Sequence, residues 1–555
     1  MTESTDSETG DRNEESLRSP DNTRGLSRRR LLTGLGTAGA TALAGCSANP
    51  TTPDGGDLRI GTLHPPVTLD PIEIRDVGSA QMAEKIFDSL YAYDESTELV
   101  PQIATGRPQT DESDRRYTVE IREDATFQNG QSVLAEDVKY SFEAPVEEDT
   151  PKSWRFDMIE SIETPDDRTV RFNLAYPYPA FTHSLTHEIV PKSVREAGRE
   201  KFAEEPVGAG PFEVRHFSKE KKAKVVRWKD YWGEPKPAIA KITAIHQESP
   251  ITRMMSLVSG RNRIIEPVSP RIRDLLSKRN GTNVGLREGH STYHIGFNLN
   301  DGPTTDETVR KAIDYCIDMD KEVEKFIAPV GERVHSPLPE EMAEEWDMPL
   351  QKWRDMSVPR NTSKAEQLFS EAGVNKEIEI LVPKDPKRKE IGRKLATGIR
   401  EAGQRASVSP TSWEGYLEKH VSGSASDYMV YIDGTHGGPD PDSFVYQTLH
   451  HDQEGKTQGI FYDNADLMER IKRARKTSDR EKRRGLYESI ITEALEDRAL
   501  LPAYSYQNSF GYKDTVEGFR IHPNAQLNPR VVSPNNVISI DDTDFLGSDQ
   551  GGGSR

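Results

Sequence analysis

The sequence predicts a mixed α/β protein with several folded parts. Segments with alternating apolar residues, YTVEIRED at 117–124 and RTVRFNLAY at 168–176, are typical of strands with one buried face. Between residues 300 and 500, segments that favour helices alternate with apolar runs such as EIEILVP at 377–383. The chain has 555 residues, which is too long for one ordinary core. Its length suggests roughly three to four domains of about 150 residues.

The composition is that of an acidic, water-soluble protein. Hydrophobic residues make up 34% and charged residues 30%, and the mean hydropathy is −0.74. The formal net charge of −19 repels phosphate backbones, so we expect no nucleic-acid partner. The two cysteines are Cys46 and Cys316. If Cys46 is lipidated, Cys316 has no partner in the chain, which excludes disulfides and thiolate metal sites and leaves Cys316 as a small core residue.

The first 46 residues predict export. A literal G-x-G-x-x-G begins at Gly34, but arginines rather than a strand precede it, so we expect no dinucleotide-binding loop. The segment SRRRLL, with Arg28 and Arg29, resembles the twin-arginine export signal and leads into a weakly apolar run. That run ends in LAGC, which resembles a lipobox and implies lipidation of Cys46. We therefore expect a lipoprotein anchored at the cell surface.

The remaining elements follow in order along the chain. We expect an export signal with a disordered tail over 1–45, a tether over 46–56 and a disordered tail over 546–555. The folded body is expected to start near Leu58 with the strand LRIGTL. Gly208 and Gly210, before Pro211, suit a turn that needs positive φ.

Three further segments predict helices. They are DETVRKAIDYCIDMDKEVEKFI at 306–327, SKAEQLFSEAG at 363–373 and the long charged stretch at 464–497. In the last of these, acids at helical spacing offset the basic clusters, so we expect a solvated face.

Several motifs together carry a family resemblance. The most specific is YTVEIREDATFQNGQSVLAEDVKYSFE at 117–143, a strand, a turn and a helix. The others follow it in order: PVGAGPFEVRHF, RWKDYWGEPKPAIAKI, YHIGFNLNDGPTTDETVRKAIDYCID, SKAEQLFSEAG, WEGYL, PDPDSF and ALLPAY. Over about residues 57–545 the chain resembles the family 5 extracellular solute-binding proteins, the dipeptide- and oligopeptide-binding components of ABC importers.

The resemblance implies a three-lobed fold like that of periplasmic binding proteins (type II, cluster C). The implied boundaries are 57–92, 208–290 and 508–545 for lobe I, 93–207 for lobe II and 291–507 for lobe III. A cleft between lobes I and III would close around the ligand and be recognised by a permease with its ATPase subunits. The resemblance implies a monomer that captures a peptide or similar small solute, with no catalytic role and no cofactor.

The resemblance also implies ligand-binding residues in lobe III, on its side of the cleft. In peptide-binding members, an aspartate three residues before the Asp-Pro of the PDPDSF loop holds the peptide's α-amino group, and this chain has Gly437 there. Asp433 is a possible substitute, and Asp440 is either a ligand residue or a structural one. A carboxylate anchor is expected at Lys384 or Lys387, although either lysine also suits a solvated loop.

Other candidate contacts are distributed along the chain. Arg75 and Asp76 fall where the family lines its cleft, and Trp413 and His436 are further candidates. Asn298 either bonds backbone at a strand end or touches ligand.

The histidines and the sequence motifs bear on alternative functions. His436, His450, His451 and Asp452 are close in sequence, but adjacent histidines point apart in regular structure, so we expect no metal site. A nickel chelate or an oligosaccharide remains an alternative solute on the same fold. An exported hydrolase is disfavoured, because the chain lacks G-x-S-x-G and H-E-x-x-H. A surface sensor or chaperone on the same fold stays open.

Overall fold

A computed structural model describes residues 55–111 and 114–541. The predicted export residues Arg28 and Arg29, the predicted lipidation at Cys46 and the tail at 546–555 lie outside the described residues. Within the described ranges, none of the helices has the length and apolar character needed to cross a bilayer.

One large mixed sheet forms the centre of the fold. Its main path consists of ten strands, in spatial order Ala406–Thr411, Ile378–Pro383, Val430–His436, Ser291–Phe297, Leu500–Lys513, Ile264–Glu266, Asp57–Thr62, Lys241–His246, Lys222–Arg227 and Phe212–Ser218. Thr282–Glu288 and Gly331–Arg333 pair with Leu500–Lys513 off this path. The predicted strand LRIGTL is therefore present at Asp57–Thr62.

The strand Leu500–Lys513 connects the two halves of this sheet. Its first residues pair antiparallel with Ser291–Phe297. Its last residues pair antiparallel with Thr282–Glu288 and Ile264–Glu266. A single strand with partners in both halves holds the two halves in register, and the functional cavity lies where they meet.

Four smaller sheets complete the strands of the described residues. The four-stranded sheet has the order Gln109–Thr110, Arg116–Glu120, Thr169–Leu174 and Ile159–Asp166. Three two-stranded sheets pair Tyr91–Tyr93 with Leu99–Pro101, Val516–Glu517 with Ser539–Ile540, and Val532–Ser533 with Asn536–Val537. Both alternating segments read from the sequence lie in the four-stranded sheet, with one face on a hydrophobic core.

Helices cover the sheets. Those in the first half of the described chain are Val77–Ile86, Ala135–Glu147, Phe181–Ser184, Lys192–Ala197, Arg199–Glu204, Pro250–Val258 and Pro270–Leu276. Those in the second half are Glu307–Asp314, Met319–Phe326, Glu340–Glu345, Leu350–Asp355, Thr362–Glu371, Pro386–Glu401, Trp413–Lys419, Asp442–Leu449, Ala465–Arg475 and Arg480–Glu496. Short 3₁₀ helices occur at Ser153–Arg155, Pro303–Thr305, His451–Gln453 and Ala525–Leu527.

Two predicted helices are each divided in the structure. The helix predicted over 306–327 breaks before Met319–Phe326, whose first turn is capped by Asp318 through a hydrogen bond from the Lys321 amide. The stretch 464–497 breaks before Arg480–Glu496, where Asp479 accepts from the Lys482 amide in the same way. An aspartate at these points satisfies free N–H groups of a new helix, which favours a restart over continuation.

The predicted solvated face on the last two helices is wrong in part. Arg475 and Arg483 are buried, at 1% and 3% exposure. Arg475 donates to Asp157 at 3.0 Å, and Arg483 makes a two-pronged pair with Asp440 at 2.8 and 2.9 Å. The acids that neutralise them come from distant parts of the chain, so helical spacing alone did not show them.

Two glycines are required for a different reason than the predicted turn. Neither Gly208 nor Gly210 has positive φ. A Cβ at either position would instead clash with the backbone of Ile86. These glycines allow two backbone segments to approach closely, and the turn itself does not demand them.

The hydrophobic core consists of several clusters rather than one. The largest lies around the strands Ser291–Phe297 and Ile378–Pro383, and it includes Cys316. Cys316 is 1% exposed and its Sγ donates to the Ala312 carbonyl, so the prediction of a core residue is confirmed. The predicted lobe boundaries stay a prediction.

Candidate solute-binding site

A cavity of about 350 Å³ opens where the two halves of the large sheet meet. Residues from the first 270 positions form one side, here called the first wall; those used below are His64, Arg75, Asp76, Gln81 and Glu266. Residues between 385 and 457 form the other side, here called the second wall; those used below are Lys387, Arg388, Trp413, Asp433 and His436. The volume suits a small solute.

The first wall is built on a helix start and a strand end. Asp76 caps the helix Val77–Ile86 by accepting from the Ser79 amide at 2.9 Å. One and a half turns later, Gln81 Nε2 donates to Glu266 Oε2 at 3.2 Å. Glu266 ends the strand Ile264–Glu266, and its Oε1 is buried without a hydrogen-bond partner. Burial raises the pKa of Glu266 to about 7.

The second wall is organised around Arg388. Asp385 caps the helix Pro386–Glu401, and proline at the first helical position favours this start. Arg388, in the first turn, donates to Asp385 Oδ2 at 3.1 Å and to Asp433 Oδ1 at 3.2 Å. Three aromatic rings lie within 6 Å of its guanidinium, those of Tyr293, Trp413 and Tyr416. Arg388 is thus neutralised by protein groups and enclosed by rings.

Lys387, next to Arg388 in the sequence, differs from it in having no carboxylate partner among the described residues. Its Nζ lies 3.7 Å from the centre of the Tyr506 ring. Among the described residues, no carboxylate lies within ion-pair distance of that nitrogen. Burial lowers the pKa of Lys387 to about 8, although Asp385 nearby acts to raise it. A cation with no anion beside it in the protein is suited to an anionic group of a solute.

The two walls touch each other in this structure. Arg75 Nη1 on the first wall donates to the Leu417 carbonyl at 3.3 Å. The centre of the His64 ring lies 5.2 Å from the centre of the Trp413 ring. Beside the cavity, the Glu414 amide donates to Glu220 Oε1 at 2.8 Å. The cavity is therefore enclosed by contacts that connect both sides.

Most of the residues proposed from the sequence line this cavity. They are Arg75, Asp76, Lys387, Trp413, Asp433, His436 and Asp440. Trp413 and His436 each have one buried ring nitrogen without a partner. Burial lowers the pKa of His436 to about 4, so the ring is neutral at pH 7.

Asn298 and Lys384 do not line the cavity. Asn298 is fully buried; its Nδ2 donates to the Tyr428 carbonyl, and its Oδ1 accepts from the Asn300 and Asp301 amides. Of the two roles left open, the structure shows bonding to backbone at a strand end. Lys384 is exposed, because the strand ends before it and the next helix turns Lys387 and Arg388 inward instead.

The carboxylates of the second wall that were proposed from the sequence are already paired with side chains of the protein. Asp433 accepts from Arg388 and lies 3.3 Å from His420 Nε2, while Asp440 is paired with Arg483. A side chain at Gly437 would clash with Ser443 Oγ and place its Cβ 2.6 Å from the Phe444 ring. No carboxylate could stand at position 437 without repacking.

The histidines do not form one group. His436 lines the cavity, whereas His450, His451 and Asp452 lie together outside its lining, with possible ligand atoms within 4.8 Å of one another. His450 Nδ1 accepts from the Asp452 amide at 3.2 Å and Tyr446 donates to Asp452, while His450 Nε2 is buried without a hydrogen-bond partner among the described residues.

Sequence reasoning missed Gln81, Glu266 and Arg388. Arg388 had a usable signal, because Asp385-Pro386 is a helix start that places position 388 in the first turn. Glu266 follows the short apolar run Ile264-Ile265, but nothing local indicates that Gln81 would meet it from a position 185 residues away.

A mixed α/β fold with a cavity between two sheet halves is an arrangement that can hold a small solute. The model of the bacterial extracellular solute-binding proteins, family 5 Middle, matches residues 98–456, and the chain belongs to this family. Its members are extracellular, in agreement with the predicted export.

Similar proteins cover most of the chain. Protein XP55 of Streptomyces lividans is 28% identical over 501 residues, or 84% of this chain and 87% of its own. Oligopeptide-binding protein AppA of Bacillus subtilis is 23% identical over 507 residues, 85% of this chain and 90% of its own. The ABC transporter-associated periplasmic binding protein DppA from Helicobacter pylori, solved with the peptide STSA, superposes with a TM-score of 0.78 at 20% identity, covering 88% and 98%. These neighbours show the predicted fold class.

Proposed function

We propose that the protein captures a peptide outside the membrane and delivers it to the permease of an ABC importer, without catalysing a reaction. Two similar proteins support a peptide as the solute. AppA is named as an oligopeptide-binding protein, and the Helicobacter pylori protein holds the peptide STSA and is described as transporter-associated. An exported hydrolase has no comparable support.

The observation that carries this proposal is the enclosed cavity between the two walls. A peptide offers an amino group, a carboxylate and backbone N–H and C=O groups. The cavity offers matching groups, with carboxylates on the first wall and Lys387 and the Trp413 indole on the second. A solute that bonds to both walls binds the closed arrangement better than the open one, and this difference drives closure.

The wider arrangement belongs to the same proposal. The three predicted lobes would close over the solute, and the closed form of a monomeric protein would be what the permease and its ATPase subunits recognise. Lipidation at Cys46 would keep the protein at the membrane surface near that permease.

The test is a thermal-unfolding screen of the full-length chain. The panel contains di- to pentapeptides, the same peptides with acetylated amino groups, oligosaccharides and nickel chelates. A ligand that binds only the folded state adds about 2.7 kcal/mol of stability at a hundredfold excess over Kd, which raises Tm measurably. We expect free peptides to give the largest rise.

Two variants with the same substitution control the screen. Arg75→Met removes a cavity residue and is expected to reduce the peptide-induced rise in Tm. Arg271→Met, on an exposed part of the helix Pro270–Leu276, is expected to leave it unchanged. If a sugar or a nickel chelate raises Tm and no peptide does, the proposal that the solute is a peptide is wrong. The assignment as a solute-binding protein would still stand.

A further inference from the structure

The carboxylates of the cavity fall into two groups. Seven line it, and five of these have a protein cation within 4 Å. The five pairs are Glu84 with Lys85 and Arg530, Glu188 with Lys152, Asp385 and Asp433 with Arg388, and Asp440 with Arg483. Their charge is balanced within the protein.

The other two carboxylates, Asp76 and Glu266, have no such cation within 4 Å among the residues that the structure describes. They are 6% and 8% exposed, and each keeps one buried oxygen without a hydrogen-bond partner, Oδ2 of Asp76 and Oε1 of Glu266. A buried carboxylate that lacks both a cation and a full set of donors is unfavourable unless something else supplies them. Five neighbours in the same cavity are satisfied, so this lack is specific to the first wall.

These two residues lie on the same side and face a wall of opposite character. Asp76 caps the helix that carries Gln81, the donor to Glu266, and five helical residues span about 7–8 Å. On the second wall, the Trp413 indole N–H is a buried donor without a hydrogen-bond partner among the described residues, and the Lys387 ammonium contacts the Tyr506 ring. The two unpaired carboxylates and these two donors are thus on opposite walls.

We propose that Glu266, flanked by Asp76, binds a cationic amino group of the solute, so that the solute lies with its amino end on the first wall and its acceptor end on the second. This rests on the proposed function, since it assigns the orientation of the solute in the same cavity. It differs from an amino anchor in the loop around Gly437, where a side chain has no room and where Asp433 and Asp440 are already paired.

The charges around Glu266 support this assignment. Lys85 and Arg253 are the cations that act on it, and with the hydrogen bond from Gln81 they favour its ionised form. Lys85 Nζ bonds to Glu84 and the Gln81 carbonyl, and Arg253 bonds to backbone carbonyls. Burial outweighs them and raises the pKa of Glu266 to about 7. An ammonium group at Oε1 would hold the carboxylate ionised, and binding would then release protons below pH 7.

The first experiment compares trialanine with N-acetyl-trialanine by calorimetric titration of the full-length chain at pH 8. The variants are Glu266→Gln, which keeps the shape and the bond to Gln81 but removes the charge, and Glu248→Gln, the same change at an exposed site outside the cavity. We expect the native chain and Glu248→Gln to prefer the free amine at least tenfold. Glu266→Gln should bind trialanine at least tenfold more weakly and lose that preference.

A second experiment needs no ligand. Without a solute, Glu266→Gln removes an unbalanced buried charge, so its Tm should exceed that of the native chain at pH 8 and equal it at pH 4, where both side chains are neutral. If Glu266 instead has a stabilising partner within the protein, Glu266→Gln should have a lower Tm than the native chain at pH 8.

The outcomes separate this inference from the peptide proposal. If Glu266→Gln keeps the preference for the free amine while Asp433→Asn loses it, the amino end binds the second wall and the inference fails. If trialanine does not bind the native chain, the peptide proposal is weakened and the ligand-free comparison alone decides on Glu266. A lower Tm for Glu266→Gln at pH 8 overturns the inference in either case.

Discussion

The two walls of the cavity handle buried charge differently. On the second wall, Arg388 is bonded to Asp385 and Asp433 and enclosed by three aromatic rings. On the first wall, Glu266 has a single donor, Gln81, and none of the described cations lies within ion-pair distance of it. Arg388 and Glu266 are both buried, at 2% and 8% exposure, so their difference does not come from solvent exposure.

The difference separates charges that stabilise the fold from charges that are free to bind a solute. A buried ion pair that loses one member leaves the other uncompensated, which destabilises the protein strongly. A buried charge that never had a partner is already unfavourable, so its removal stabilises the empty protein and weakens binding. The two kinds of residue can therefore be told apart by the sign of the stability change.

The largest effect is expected at Arg388. Arg388→Ala leaves Asp385 and Asp433 without their cation, and we expect a loss of about 3–5 kcal/mol in the free energy of unfolding, measured in urea. Arg393→Ala on the same helix is the control, because Arg393 is exposed and only pairs with Glu390 at 3.6 Å. It should change stability by less than about 0.5 kcal/mol. Equal effects at both positions would remove the distinction between the walls.

A smaller effect is expected at Gly437. Gly437→Ala places a methyl group against Ser443 and the Phe444 ring, and we expect a loss of about 1–3 kcal/mol from overpacking. Gly438→Ala is the matched control, since its Cβ has only Tyr93 Oη nearby, at 3.8 Å. It should be neutral or stabilising by up to about 1 kcal/mol. If Gly437→Ala is also neutral, the loop has room for a side chain and an amino anchor there becomes possible.

The smallest effect is expected at Lys387, and it depends on pH. Its pKa is about 8 in the folded protein against an ordinary 10.5, so the unfolded chain binds more protons between these values and native stability rises with pH across that window. Lys387→Met should be more stable than the native chain by about 1–2 kcal/mol at pH 7, after allowance for partial exposure. The gain should shrink towards pH 10.

Urea unfolding at pH 7 and pH 10 measures this change. Lys384→Met, the same substitution three residues earlier at an exposed site, should show no gain at either pH. A gain for Lys387→Met that stays constant with pH would mean that packing, and not the buried charge, is responsible.

Elements with a local cause were predicted well. The alternating segments became strands, and SKAEQLFSEAG became the helix Thr362–Glu371, which Asn361 caps by accepting from the Lys364 amide. The two divided helices show the limit of this approach. Both restarts have an aspartate cap in the sequence, and a continuous polar-apolar pattern concealed it.

The candidate site was predicted in part. Its region and seven of its residues followed from the family resemblance and the loop around Asp433. Which of its acids remain unpaired did not follow, because Asp433 meets Arg388 across 45 residues and Asp440 meets Arg483 across 43.

The sequence by itself determined the periodicity of strands and helices, the acidic composition and the order of motifs that identifies the family. These depend on neighbouring residues or on composition. Only the tertiary structure decided which buried charges are balanced. Hydrogen bonds and ion pairs act over about 3 Å in space, and residues such as Gln81 and Glu266, 185 positions apart, come within that distance only once the sheet and its helices have packed.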